Sequence, residues 1–502
     1  MNRFCYILFV LLFVPVMLSA QSIKFSDYDR EDTRDMNFEI IGKLNNTILV
    51  YKNIRYNHKI SIYDNEMNTL GVVKLDFVPD RTFNMDFVVY PDFFYMIYQY
   101  QKGRILHCMV VKMDANAKMI NEPVEVDTTQ IPVMADNKIY STIFSEDRQK
   151  IMIFKIQTRY QKFNMTTLLY DNQFNLINKN RHVTDYNERK ENFGNFLLAN
   201  DGGLAFTYDK QSGYRDNSNA LSLVTKEPAQ HTFTYQNIDL GERYIDEPKL
   251  KIDNLNRRYI INTFYYKKNR GSIEGLFTYV WDKDKGKSSL SEFTELYDSL
   301  RAEAKRDGSL RFAFDNFFIR QVVVKKDGGF ILTAEDFTKD TRGGNTPWNR
   351  YDYLYNRYSS SSGYYYDPYS GYYRPYGGFN NQGITTYYYE NIVVFSINKD
   401  GKTEWSKIIQ KEQFDDNDDN FMSFSTMTSG GEIHFLFNSD RKYQVISDQS
   451  IALDGTIKRN PTLKSPQRGY EFMPKHSKQV GARQLIIPCA YRNNVCFARI
   501  DF

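Results

Sequence analysis

The chain has 502 residues, with 65 lysines and arginines against 61 aspartates and glutamates, for a formal charge of +4. So balanced a charge gives no electrostatic footprint for nucleic acid, which is therefore excluded as an expected partner. The 39 tyrosines and 37 phenylalanines, interleaved with polar residues, favour strands over helices.

Asn2 and Arg3, the apolar run from Phe4 to Leu18, and the small residues Ser19 and Ala20 read as an export signal, residues 1–20, cut after Ala20. Pro15 interrupts the run, which is shorter than the roughly 18 residues that cross a bilayer, and no later segment is apolar for long enough. The mature chain, 21–502, is expected to be one domain in the periplasm or outside the cell, with no transmembrane segment. No cysteine stands at the cut to carry a lipid.

Next comes a repeat. A short alternating strand ending on Asp or Asn recurs as ISIYD at Asp64, MVVKMD at Asp114, TLLYD at Asp171, FTYVWD at Asp282, VVFSIN at Asn398, SIALD at Asp454 and FARID at Asp501, with a degenerate LSLVT at Thr225. Most copies lie about 47 to 57 residues apart, the period of a propeller blade. A hairpin precedes each copy, and Asn-Asn and Asp-Gly-Gly, where they occur, supply the positive φ that tight turns require. Each unit is thus four antiparallel strands. The expected fold is all-β, an eight-bladed β-propeller, with seven blades as the alternative. The last copy stops at Phe502 without a fourth strand, and SIKFSDYD (22–29) has no unit of its own, so the N-terminal strand is expected to close the ring and remove its exposed edges.

Between Asp282 and Asn398 the spacing doubles, and we read one blade with two insertions. In the first, Phe293, Leu296, Tyr297, Leu300 and Ala304 make an apolar stripe, with Ser289 and Glu292 as a capping box, which predicts a helix over 290–307 that packs on the propeller rim. The second, 338–390, mixes Tyr with Gly, Ser, Pro and Asn and cannot bury a core of its own. Antiparallel parity puts second-to-third-strand loops and blade-to-blade connections on one face. Both insertions, and the loop from Lys210 to Asn219, belong there.

DGGFILTAED (327–336), YYYENIVVFSINKDGKTEW (387–405) and the aromatic insertion between them resemble a group of secreted bacterial β-propeller-like proteins of unassigned function, most clearly over residues 315–440. The resemblance implies secretion and a propeller body; it carries over no catalytic residue.

Chemical motifs are sparse. The six histidines show no metal-ligand spacing. FDDNDDNF (414–421) lacks the Gly and the twelfth-position Glu of a calcium loop, so it reads as a solvated acidic loop. SINKDGKTEW departs from the Asp-box of sialidases by two extra residues, and three tryptophans are too few for a quinone-binding propeller. No cofactor is expected. Cys489 and Cys496 flank a hairpin turn whose parity places them on one face, making them a disulfide candidate; buried thiols are the other reading. Glu335 and Asp336 end a strand beside the insertion and are a candidate acid–base pair, although neighbouring strand residues point to opposite faces.

The insertion offers the clearest binding candidates: Trp348, Tyr364, Tyr365, Tyr366, Tyr369, Tyr372, Tyr373 and Tyr376. Tyrosine gives a large rigid contact at low entropic cost, and Gly and Ser let the backbone adapt. The leading expectation is a non-enzymatic interaction or scaffold propeller that grips another envelope or secreted protein through its loop-rich face. The alternative binds or cleaves glycans with the aromatic loop and Glu335/Asp336.

Overall fold

The computed structural model describes residues 21–29, 36–80, 82–131, 139–213, 216–305, 310–342, 348–350, 354, 372–373, 384–465, 468–492 and 494–502. The expected export signal, residues 1–20, lies outside them. Among the described residues no helix is long and apolar enough to cross a membrane.

The fold is an all-β propeller. Its described strands sort into eight antiparallel groups in chain order; the fourth and fifth share a sheet through the single pair Ser218–Ile245. Blade 1 shows the plan: Met36–Leu44, Thr47–Ile54, Asn57–Tyr63 and Thr69–Lys74, each paired with the next. Apolar side chains fill both faces of the middle strands, as sheets stacked on two sides require. Fourth strands such as Leu176–Asp185 alternate only between exposed and half-buried, which marks the outer rim. First strands of neighbouring blades touch one another and so surround the axis.

Among the described residues eight apolar clusters each join two consecutive strand groups. Leu49 and Tyr51 of blade 1 meet Phe94 and Met96 of blade 2, and the series continues to Met427 and Leu436 of blade 7 against Leu485 and Ile487 of blade 8. The remaining cluster sets Phe38 and Val50 of blade 1 against Ile486 and Phe497 of blade 8, so the order of contacts is cyclic. The N-terminal strand Ser22–Phe25 takes the outer place in blade 8, pairing Ser22 with Asp501 and Phe25 with Ala498. Just beyond it, Asp29 reaches blade 1 and pairs with the buried Lys52, whose ammonium also donates to the Tyr63 hydroxyl at 2.7 Å.

The repeated aspartates are turn residues. Asp64 Oδ1 accepts from the N–H groups of Glu66 and Asn68, both at 2.8 Å, and Asp114 and Asp171 do the same. In the Asp-Gly-Gly hairpin of blade 6, Gly328 sits at φ +89° while Asp327 Oδ1 accepts from the Gly329 N–H at 2.8 Å.

One expected element differs. Lys287–Glu295 is not helical; it is the outer strand of blade 5, pairing Phe293 with Phe277. The helix is shorter than 290–307, covering Asp298–Ala304, and Tyr297 at its start makes no side-chain cap. Pairing with the vacant edge of Gly275–Asp282 outweighs the local helical signal. The C-terminal half of the expected stripe, Leu296, Leu300 and Ala304, does pack on the propeller, between blades 5 and 6.

Candidate functional site

Blade 6 carries the Tyr-rich insertion between its second and third strands, Phe330–Thr341 and Thr385–Ile397. These run on past the sheet as a long hairpin, and Gln413–Asp416 from the next connection adds to it, pairing Thr386 with Asp416 and Tyr389 with Gln413. The extension closes over its own apolar cluster, in which Phe318, Phe337, Tyr389 and Met422 surround Leu354, with Trp348 against the edge. Trp348 meets Phe337 edge to face at 5.5 Å, and its indole N–H donates to Asn316 Oδ1 at 3.2 Å.

Arg350 fixes the start of the insertion. Its guanidinium is buried and forked onto Asp246 of blade 5, Nε to Oδ2 at 2.7 Å and Nη2 to Oδ1 at 3.2 Å, and Nη1 donates to the Phe317 carbonyl at 2.5 Å. The Tyr266 hydroxyl donates to the same carboxylate at 2.5 Å. Burial opposes the charge on Arg350, but Asp246 and Tyr266 more than offset it, and its pKa is raised. Such a planar bidentate pair is specific to arginine. Farther on, Tyr372 and Tyr373 form a two-residue strand on the first strand of blade 1, opposite Glu39 and Phe38. The insertion therefore leaves blade 6, is staked to blade 5, and returns to pair with the axis-side strand of blade 1. Tyr364, Tyr365, Tyr366, Tyr369 and Tyr376 lie outside the described residues.

Glu335 is not at a loop entrance. It is fully buried, with Lys411 Nζ at 2.9 Å from Oε1, and Arg320 Nε at 3.1 Å and the Ser423 hydroxyl at 2.8 Å from Oε2. Burial pushes the Lys411 ammonium down, and Glu335 pulls it back. Such a group stabilises the base of the hairpin: each buried charge has a partner, and removing one would strand the others. Asp336 is also buried, at a register shift in the pairing with the third strand, and its charge acts on the same Lys411 ammonium that pairs with Glu335.

The acidic run 414–421 is structured too. Asp415 accepts from the Tyr443 hydroxyl at 2.7 Å, while Asp419 accepts from Tyr389 at 2.6 Å and pairs with Lys475 at 2.8 Å. The expected solvated loop is instead a brace between blades 6, 7 and 8. Among the described residues no cluster has a metal-ligand arrangement.

Cys489 and Cys496 are direct cross-strand partners, both buried, with sulfurs 2.6 Å apart; they are thiols in this structure, as is Cys108.

The insertion face holds a cleft of about 390 Å³ between blades 5 and 6. The loop after Tyr266 forms one wall, the connection around Arg311 and Phe312 another, and Trp348 to Arg350 the third. A buried arginine braces it: Arg301 Nη2 donates to the carbonyls of Ile273 at 2.8 Å and Glu274 at 3.0 Å, and Nη1 to that of Arg311 at 3.2 Å. The neighbouring loop of blade 4 is stitched to the same wall, with the Arg270 N–H donating to Asn217 Oδ1 at 2.6 Å. Among the described residues, Trp348 is thus the expected aromatic binding residue that lines this cleft. Sequence reasoning missed Arg301, Arg350 and Asp246, because no local pattern distinguishes a buried arginine from an exposed one. Only the contrast of a charged residue amid the aromatics around 348–354 could have pointed to Arg350.

No family model matches the chain, and no curated protein matches it. Among solved structures it is similar to prolyl oligopeptidase B from Galerina marginata (9% identity, TM-score 0.40, covering 92% of this chain and 56% of that one). Others are Sqt1 of Saccharomyces cerevisiae (8%, 0.41, 94% and 98%) and the β-propeller domain of the Trilobed protease from Pyrococcus furiosus (8%, 0.34, 83% and 95%). The chain spans a little over half the length of the prolyl oligopeptidase.

Proposed function

We propose that this propeller is an exported recognition module that uses the insertion face to hold another envelope or secreted protein. The observation that carries the reading is the double anchorage of the insertion, by Arg350 on Asp246 at one end and by Tyr372–Tyr373 on blade 1 at the other. Fixing the two ends of a recognition segment in advance lowers the entropy lost when a partner is held, compared with a segment fixed at neither end. Catalysis by Glu335 and Asp336 has no support in their burial.

The test is a variant in which residues 355–383 are replaced by a short Gly-Ser linker, leaving the anchor at 348–354 in place. Cross-linking in the native host, followed by purification and mass spectrometry, is expected to lose the proteins linked to the parent chain, with the thermal midpoint unchanged. An identical set of cross-linked proteins from both chains would reject the reading. Residues 355–383 include Tyr364, Tyr366 and Tyr373, so this one variant tests the aromatic cluster as a whole.

A further inference from the structure

We propose that a second cleft on the insertion face, between blades 6 and 7, is a binding site for a neutral saccharide, separate from the protein contact assigned to 355–383. It encloses about 520 Å³, the size of a small-ligand pocket. The connection 410–414 forms one wall, and the end of the second strand of blade 7, Glu432–Asn438, with the turn that follows it forms another. Ser447, Gln449 and Arg459, on the third and fourth strands of blade 7, complete the lining.

Gln449 carries the argument. It is only 8% exposed, yet its carboxamide makes no hydrogen bond among the described residues. A buried amide without a partner costs free energy, and in folded chains nearly all such groups are paired. Ser447, two residues earlier on the same face of the strand, also makes no side-chain hydrogen bond among the described residues, and Arg459 stands opposite Gln449 in the strand pairing. One wall thus offers amide, hydroxyl and guanidinium groups that the fold itself does not use. The rest of the lining is already fixed. Gln413 Nε2 donates to the Asn438 carbonyl at 2.9 Å, and its Oε1 accepts from the Ser423 N–H at 2.8 Å. Asn438 Nδ2 donates to the carbonyls of Phe421 and Phe472 at 2.8 and 2.7 Å. The Tyr443 ring stacks on Phe421 at 5.3 Å, so little ordering is left to be done on binding.

The composition of the lining selects the ligand class. Among the described residues four of its side chains are carboxamides, three are aromatic and none is aliphatic. A carboxamide donates and accepts at once, which matches the adjacent hydroxyls on the rim of a pyranose. Phe414, with the Arg441 guanidinium 4.7 Å from its ring, remains 39% exposed and offers apolar surface to the C–H groups of a sugar. The apolar anchor of a peptide would find no aliphatic pocket here. Charge then decides between a neutral and an acidic sugar. Lys411 is paired with Glu335, and the other charged lining residues are Arg441, Arg459, Glu412 and Asp440, two of each sign. Walls without net charge give a carboxylate no advantage over a hydroxyl.

The experiment titrates the full chain by calorimetry with maltotriose, cellotriose and triacetylchitotriose, and with trigalacturonate and triasparagine as the acidic and peptide comparisons. At least one of the three neutral sugars is expected to bind saturably, nearly independently of salt, and about tenfold or more tighter than either comparison. Gln449→Leu keeps the side-chain volume and removes an amide that the fold does not use, so its thermal midpoint is expected not to fall. It is expected to weaken sugar binding about tenfold or more, and Phe414→Ala, at an exposed ring, to weaken it severalfold. The proposal is overturned if none of the neutral sugars binds, if either variant binds as the parent does, or if trigalacturonate or triasparagine binds as tightly. The cleft residues lie outside 355–383, so the linker variant keeps saccharide binding even where it loses its protein partners, and the two readings can fail separately.

Discussion

Asp209, at the end of the second strand of blade 4, is buried beneath the same face. Its Oδ2 accepts from the Ser218 hydroxyl at 2.5 Å and from Asn192 Nδ2 at 3.0 Å. Burial pushes its carboxyl up to about 6 from an ordinary 3.8; the two hydrogen bonds oppose this and the charge of Asp246 adds to it. A carboxyl that holds its proton more tightly when folded favours the folded chain less as pH rises from near 4 to near 6. Above that window the fold carries a penalty of order ~3 kcal/mol. Asp209→Asn keeps an acceptor for Ser218 without the charge, and is expected to raise the urea midpoint at about pH 7.5 while leaving it nearly unchanged at about pH 4. An equal shift at both values would mean that Asp209 does not titrate in this range. At this scale the sequence says little. Asp209, Asp246 and Glu335 look like any strand-end carboxylate, and their environments are set by side chains 9 to 104 residues away.

At the scale of elements the sequence was far more legible. The strands that end at or beside Asp64, Asp114, Asp171 and Asp282 are visible as short apolar runs closed by a turn residue, because burial between stacked sheets and the Asx turn are both local signatures. Lys287–Glu295 misleads for a physical reason. Phe293 lies three residues before Leu296, as on a helix, and the neighbouring strand that claims it is not written in the segment itself. The paired thiols belong to this scale as well. Their register was readable from a short turn between two strands, and the structure makes them direct partners. Burial raises the Cys489 thiol well above its ordinary value, and a thiol without its thiolate neither exchanges nor alkylates readily. Oxidation must therefore precede burial. We expect chain made in an oxidising compartment to be lighter by two hydrogens and to yield a 489–496 cross-link in a non-reduced peptide map, with loss of two thiol hydrogens to the cellular oxidant. Chain made in a reducing cytosol is expected to resist iodoacetamide until unfolded, then to label at both positions. A native chain from the oxidising compartment that labels at both cysteines after unfolding without reductant would exclude the cross-link.

For the molecule as a whole, the decisive contacts are those joining its two ends. Asp29 pairs with Lys52, which is buried beside the Phe497 ring at 5.1 Å, so one ammonium touches the N-terminal segment, blade 1 and blade 8. Among the described residues, Asp29→Ala would leave that ammonium with the Tyr63 hydroxyl as its one hydrogen-bond partner, and is expected to cost about 3 kcal/mol in urea unfolding. Adding Lys52→Met should recover most of it, since an apolar side chain of similar length needs no counter-charge. If the double variant is no more stable than Asp29→Ala, the pair is not the closure.

The strand pairing of Ser22 with Asp501, 479 positions apart, carries a further consequence for biogenesis. The segment around Ser22 leaves the ribosome long before its partner, so blade 8 is incomplete until the strand ending at Asp501 has been made. Folding intermediates must then expose an unpaired edge until that strand emerges. A protein built this way remains threadable until the partner strand arrives, and truncation by that one strand should leave an aggregation-prone remnant rather than a smaller ring.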